Sequence, residues 1–139
     1  MPSPRMAVDK KVGYAKTALI VDDNPLIRAH LCDLFLSAGF AFCREAATGC
    51  EAIELAREYK PDLIILDLVM PAMNGVEAAP RLRELLPETP IILYTLFADQ
   101  LKRVDLRLSG VSAVFLKSEP PHQLLAKAQE LMGSSYPQP

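Results

Sequence analysis

The fold of this chain is decided by one stretch, Pro61-Asp62-Leu63-Ile64-Ile65-Leu66-Asp67-Leu68-Val69-Met70-Pro71. The apolar run after the proline is too short for a helix and predicts a β-strand that is buried on both faces. The strand ends on a carboxylate, that of Asp67. In an open parallel sheet the functional residues collect beyond the carboxyl ends of the strands, so Asp67 is the first candidate site residue.

Three other apolar runs also end in residues that are suited to phosphoryl chemistry. The run Thr17–Val21 is followed by Asp22 and Asp23, the run that begins at Ile91 ends at Thr95, and the run over 111–116 ends at Lys117. If these strands are parallel neighbours, an acidic pair, a single Asp, a hydroxyl and an ammonium group meet at one edge of the sheet.

Composition places the chain among globular domains. It has 139 residues, half of them hydrophobic, and a net charge of −2, which fits one domain with a substantial core. The basic residues are dispersed, so we expect no direct nucleic-acid binding. No apolar stretch reaches the roughly 18–20 residues of a membrane span, and the first residues do not resemble a secretory signal. We therefore expect a cytoplasmic protein that does not enter the membrane.

The cysteines give no sign of a disulfide framework or a zinc site. There are three, Cys32, Cys43 and Cys50, and no two of them have the spacing of a CxxC motif. We expect three buried thiols in a reducing compartment.

Strand and helix patterns alternate between two short terminal segments. Residues 1–16 and 133–139 lack periodicity and are predicted to be flexible, the latter as a tail or the start of a linker, so the domain spans 17–132. Strands are predicted over 17–21, 40–45, 63–67, 91–95 and 111–116, and helices over 25–38, 48–60, 75–86, 98–108 and 120–132. The first helix should bury one stripe, formed by Leu26, Ile27, Leu31, Leu34 and Phe35. Pro80 should bend the third helix. The strict alternation favours a doubly wound α/β sandwich.

The ordered set of site residues resembles the receiver domain of two-component response regulators. It comprises Asp22-Asp23, Asp67 with Met70-Pro71 and Gly75, Thr95, and Lys117. The resemblance covers about residues 17–132. It implies a flavodoxin-like fold, in which a five-stranded parallel sheet of order 2-1-3-4-5 is flanked by five helices.

The resemblance also implies a chemistry for each of these residues. Asp67 would accept a phosphoryl group from a phosphohistidine, and Mg²⁺ would be held by Asp22, Asp23, Asp67 and the backbone carbonyl of Val69. Lys117 would offset charge on the transferred group, and the hydroxyl of Thr95 would bind a phosphoryl oxygen and switch the output face. That face consists of the fourth helix, the fifth strand and the fifth helix, and is expected to support weak homodimerisation.

The partners implied are a sensor histidine kinase or a histidine phosphotransfer protein, with an output such as transcription regulation. Acceptance and slow loss of the phosphoryl group would be autocatalytic, so the chain is expected to be a signalling module and not an enzyme. Slow loss is expected because the apolar Val69 and Phe97 occupy the family positions that would hold a water molecule.

Several positions depart from the family pattern. Leu96 is bulky beside the expected phosphoryl entrance, Val114 replaces an aromatic residue, and Ser118 replaces a proline. These departures leave open a second interpretation, a pseudo-receiver that binds proteins without phosphoryl turnover. A third, a phosphatase with an aspartyl-phosphate intermediate, is disfavoured because such enzymes carry a second Asp at the position of Val69.

Overall fold

The computed structural model describes residues 16–70, 73–96 and 110–133. Within these ranges the chain forms five strands and four helices in alternation. They are β1 (Thr17–Val21), α1 (Pro25–Ser37), β2 (Phe42–Ala46), α2 (Gly49–Tyr59), β3 (Leu63–Asp67), α3 (Gly75–Leu85), β4 (Ile91–Thr95), β5 (Ala113–Leu116) and α4 (Pro121–Leu131). The helix predicted over 98–108 lies outside the described residues.

All neighbouring strands are parallel, and the sheet has the order β2-β1-β3-β4-β5. The predicted order is therefore confirmed. The chain passes from β1 to β2 on one side and then crosses back past β1 to β3 on the other, so a topological switch point lies between β1 and β3. This is the place where ligand sites form in doubly wound sheets.

The sheet is covered on both faces by helices. One core cluster joins alternate strand residues such as Leu19, Ile64 and Leu93 to small residues of α2 and α3. The other cluster joins Ile20, Ile65 and Tyr94 to α1 and α4. β1, β3 and β4 are buried along their whole lengths, because both of their faces pack against helices. No helix in the described part of the chain is long and apolar enough to cross a membrane.

The helix starts follow local capping chemistry. Asn24 accepts hydrogen bonds from the backbone of Leu26 and Ile27 before Pro25 opens α1. The side chain of Thr48 accepts a hydrogen bond from the backbone N–H of Glu51 at the start of α2. Asn74 and Glu77 form a reciprocal capping box at the start of α3, which the sequence analysis did not identify.

Some predictions of position and burial were wrong. β2 begins at Phe42 and not at residue 40, and β5 begins at Ala113 and not at residue 111. Leu26 is 79% exposed, because it lies two and a half helical turns before the buried Phe35 and so on the opposite side of α1. Of the three thiols predicted to be buried, Cys32 is buried, Cys43 is half-buried and Cys50 is exposed. Pro80 lies inside α3, as predicted.

Candidate phosphoacceptor site

Three carboxylates meet at the carboxyl ends of β1 and β3. Val21 pairs with Leu66 in the sheet, so Asp22 and Asp67 follow in neighbouring positions. Asp22 and Asp67 are buried while Asp23 is exposed, and one carboxylate oxygen from each lies within 4.8 Å of the others. The structure therefore brings together the three acids that the sequence predicted as one set.

Lys117 supplies the positive charge of this cluster. It follows β5, and its Nζ lies 2.7 Å from Asp22 Oδ2 and 3.4 Å from Asp67 Oδ2, with only 8% of its side chain exposed. Lys117 thus contacts both buried carboxylates, and the shorter contact is to Asp22. Burial lowers the pKa of Lys117, but its contacts with Asp22 and Asp67 outweigh burial and hold this pKa above its ordinary value. Lys117 is therefore a buried, charged ammonium between the carboxylates of Asp22 and Asp67.

The surroundings of Asp67 disfavour the charged form of its carboxyl group. Burial, together with the negative charge of Asp22, raises the pKa of Asp67 to about 6. Lys117 opposes this increase, as does the backbone N–H of Val69, which donates to Asp67 Oδ1 over 3.4 Å. One side of the carboxylate is thus oriented by the chain that follows it and the other by Lys117.

Asp22 is fixed in place by the backbone around it. Its N–H donates to the carbonyl of Ala46, its Oδ1 accepts from Asn24 N–H over 2.9 Å, and its carbonyl accepts from Arg28 Nη1 over 2.6 Å. The role of Arg28 was not predicted, since nothing local in the sequence marks a helix residue that reaches back to the preceding strand.

The donor set fits a hard divalent cation. Asp22 Oδ2 is buried and, although it forms an ion pair with Lys117, it has no well-directed hydrogen bond. Three clustered carboxylates and a single ammonium leave uncompensated negative charge, and all-oxygen ligands in small number are those that Mg²⁺ prefers. The residues are therefore suited to holding Mg²⁺, as the resemblance implies.

Thr95 ends β4 at the same edge of the sheet and is fully buried. Asp67 pairs with Tyr94 in the sheet, so Thr95 lies one position beyond it. The carbonyl of Thr95 accepts a hydrogen bond of 2.8 Å from the backbone N–H of Lys117. The expected hydroxyl residue is thus joined directly to the expected lysine.

An aromatic pair lies beneath the ammonium group and was not predicted. Lys117 Nζ is 5.8 Å from the centroid of the Tyr94 ring, which is tilted against Phe115 at 6.5 Å. Phe115 packs in the cluster beside α1 and α4, whereas Val114 packs against the opposite cluster. Val114 and Phe115 therefore point to opposite faces of the sheet, as the alternation of side chains along a strand requires.

The start of α3 packs closely against the backbone of Asp67 and Leu68. A Cβ at Gly75 would collide with the carbonyl oxygen of Asp67, and Gly75 N–H donates to the carbonyl of Leu68 over 3.0 Å. Val69 and Leu96 are exposed beside the site, at 45% and 58%. Pro71 and Phe97 lie outside the described residues.

Comparison with known proteins assigns the family. The sequence profile of the response regulator receiver domain matches residues 18–129. The chemotaxis protein CheY of Thermotoga maritima is 32% identical over 110 residues, which are 79% of this chain and 92% of that protein. The uncharacterized transcriptional regulatory protein YhcZ of Bacillus subtilis is 34% identical over 119 residues; the match covers 85% of this chain but 55% of that protein.

Solved structures agree with this assignment. The receiver domain of a sensor histidine kinase from Pseudomonas aeruginosa superimposes with a TM-score of 0.77 at 26% identity, covering 87% of this chain and all of that one. That structure holds a magnesium ion in its active-site cleft. With the parallel sheet of order 2-1-3-4-5 and the carboxylate cluster at its switch point, these matches show that the chain belongs to the response regulator receiver domain family.

Proposed function

We propose that this chain accepts a phosphoryl group on Asp67 from a histidine kinase or a histidine phosphotransfer protein, and so controls an output. The observation that carries the proposal is the position of Asp67. Its carboxylate ends a buried strand, lies in a cluster with Asp22 and Asp23, and is 3.4 Å from Lys117. A carboxylate can act as a nucleophile towards phosphorus only where nearby positive charge offsets the negative charge of the incoming phosphoryl group.

The proposed transfer is a displacement at phosphorus. An oxygen of Asp67 attacks the phosphorus of a phosphohistidine, the new O–P bond replaces the P–N bond, and the histidine nitrogen leaves with the electron pair. The N–H of Val69 orients the attacking carboxylate, and Lys117 stabilises the charge that develops on the transferred oxygens. When bound by Asp22, Asp23, Asp67 and the Val69 carbonyl, Mg²⁺ supplies further positive charge there.

The proposed readout begins at Thr95. Its hydroxyl would donate to a phosphoryl oxygen, and the change would pass to the surface that contains β5 and α4 and could support homodimerisation. The chain is in this proposal a switch and not an enzyme with a separate substrate, because the group that reacts remains on the protein. The match covers only 55% of the transcriptional regulatory protein YhcZ. Control of transcription by this chain is therefore a proposal as well.

The test is phosphorylation of matched variants. Wild type incubated with Mg²⁺ and acetyl phosphate should gain the mass of one phosphoryl group, and Asp67→Asn should not. Asp33→Asn removes an exposed carboxylate from α1 and should behave as wild type. A phosphoryl gain in Asp67→Asn equal to that of wild type would contradict the assignment.

The exposed Leu96 and Val69 favour a second candidate, a protein-interaction module without phosphoryl turnover. Calorimetric titration with MgCl₂ separates the two functions. The proposed function requires binding that is lost in Asp22→Asn and Asp67→Asn, whereas an interaction module does not need to bind the cation. A wild-type protein that binds no Mg²⁺ and gains no phosphoryl group would favour the interaction module.

A further inference from the structure

Helix α1 and the edge strand β2 touch through two successive side-chain pairs. In the first pair, Arg28 Nε lies 2.9 Å from Glu45 Oε1. Cys32 lies four residues after Arg28 on the helix, and Cys43 lies two residues before Glu45 on the strand. Four helical residues advance about 6 Å and two strand residues advance about 6.6 Å. Because the two advances match, Cys32 and Cys43 form the next pair.

The contacts of the two thiols agree with this register. The Cys43 thiol donates a hydrogen bond to the backbone carbonyl oxygen of Cys32, with Sγ 4.0 Å from that oxygen. Both residues pack in the core cluster beside α1 and α4. Cys32 is buried and Cys43 is half-buried, so the pair is open to small molecules from the side of β2, an edge strand. Cys50 is exposed at the start of α2 and does not belong to the pair.

The environment gives the two thiols different roles. The neighbouring Cys43 thiol lowers the pKa of Cys32, against the effects of burial and of the acids Glu45 and Asp33. The Cys32 thiol in turn raises the pKa of Cys43, and burial adds to the increase. The two opposite shifts favour the thiolate at Cys32 over the thiolate at Cys43. A thiolate beside a protonated thiol is the arrangement that reacts with a peroxide and is then closed by the second sulfur.

We propose that Cys32 and Cys43 are a redox-sensitive pair that a hydroperoxide oxidises to an intramolecular disulfide joining α1 to β2. The sulfur of Cys32 attacks one oxygen of hydrogen peroxide, the O–O bond breaks, and one water leaves once a proton is taken up, giving a sulfenic acid. The sulfur of Cys43 then attacks that of Cys32, the S–S bond forms, and the hydroxyl leaves as a second water with the thiol proton. Two thiols are oxidised and one peroxide is reduced to two waters.

The test uses the full chain carrying Cys50→Ser, which removes the exposed thiol and with it intermolecular cross-linking. Exposure to hydrogen peroxide should produce a monomer that has lost two hydrogen masses, and digestion should release one peptide containing Cys32 linked to Cys43. Adding Cys43→Ser, a change at the half-buried position, should abolish the cross-link and leave Cys32 as a sulfenic acid that a dimedone probe captures. Adding Cys32→Ala should leave no cross-link and no capture at Cys43.

The thermal midpoint gives a second readout. A disulfide restricts the unfolded chain, so the oxidised Cys50→Ser protein should melt about 5 °C above its reduced form, and dithiothreitol should reverse the shift. Oxidation of Cys32 and Cys43 to separate sulfinic acids, or recovery of both as free thiols after peroxide has modified a control peptide, would overturn the proposal. The test does not depend on Asp67, so its failure would leave the proposed phosphoryl acceptance intact.

Discussion

Replacing Asp67 with Asn should make the protein more stable at neutral pH in the absence of divalent cations. The pKa of Asp67 is raised from its ordinary value of 3.8 to about 6, first by burial and then by the charge of Asp22. The folded state therefore binds this proton more tightly than the unfolded state does. The charged form of Asp67 opposes folding above pH 6, and this penalty disappears as the pH falls through 6 towards 3.8.

The size of the effect follows from the shift. A difference of about two pKa units, each worth about 1.4 kcal/mol, sets an upper value of about 3 kcal/mol for the amount by which charged Asp67 lowers the free energy of unfolding. Asn also removes the contact that Asp67 makes with Lys117 at 3.4 Å, although Lys117 keeps its shorter contact with Asp22. We therefore expect a net gain of roughly 1–2 kcal/mol at pH 7.5.

The assay is urea unfolding followed by circular dichroism, since the chain has no Trp. The difference in the free energy of unfolding between Asp67→Asn and wild type should be largest at pH 7.5 and should be smaller at pH 5. Asp33→Asn, which changes an exposed carboxylate, should show neither effect. A variant that is no more stable than wild type at pH 7.5, or a gap of constant size between pH 7.5 and pH 5, would refute the reasoning.

Three further predictions concern the surroundings of the site. Gly75→Ala should lower the free energy of unfolding by about 2–4 kcal/mol in the same assay, because its Cβ would overlap the carbonyl of Asp67; an unchanged midpoint would show that the loop shifts without cost. Arg83→Met should cost about 2–3 kcal/mol, because Arg83 donates to the carbonyls of Gly110, Leu86 and Pro87; a loss below 0.5 kcal/mol, the size expected at an ordinary surface site, would contradict this. If Asp67 is the phosphoacceptor, Val69→Asn should speed decay of the acyl phosphate by roughly tenfold, because an amide can hold the attacking water where the exposed Val69 does not; equal or slower decay, followed by intact mass, would contradict it.

The sheet and the residues at its carboxyl edge could be predicted because each strand is a short apolar run that ends in a chemically distinct residue. Asp22, Asp67, Thr95 and Lys117 all follow or end such runs, and parallel strands place those ends together. The strand order needed the family resemblance, because alternation alone does not distinguish one parallel order from another.

Contacts that depend on how the elements pack could not be predicted. Arg28 reaches the carbonyl of Asp22 from the helix that follows it, and Lys117 approaches Asp22 more closely than Asp67. The first contact depends on how α1 packs against the sheet and the second on the path of the chain after β5, and no short pattern specifies either. The exposure of Leu26 is different, since helical geometry places it opposite Phe35 and an angular count along α1 would have found it.

The hydrogen bond from the backbone of Lys117 to the carbonyl of Thr95 limits how this site can evolve or be redesigned. Thr95 ends β4 and Lys117 follows β5, yet the 2.8 Å hydrogen bond between their backbones holds them as direct neighbours. A substitution that shifts the backbone at either position will carry the other with it, whatever its own side chain. The hydroxyl and the ammonium group are therefore positioned together through the main chain, and altering one of them independently calls for side-chain replacements that leave both backbones in place.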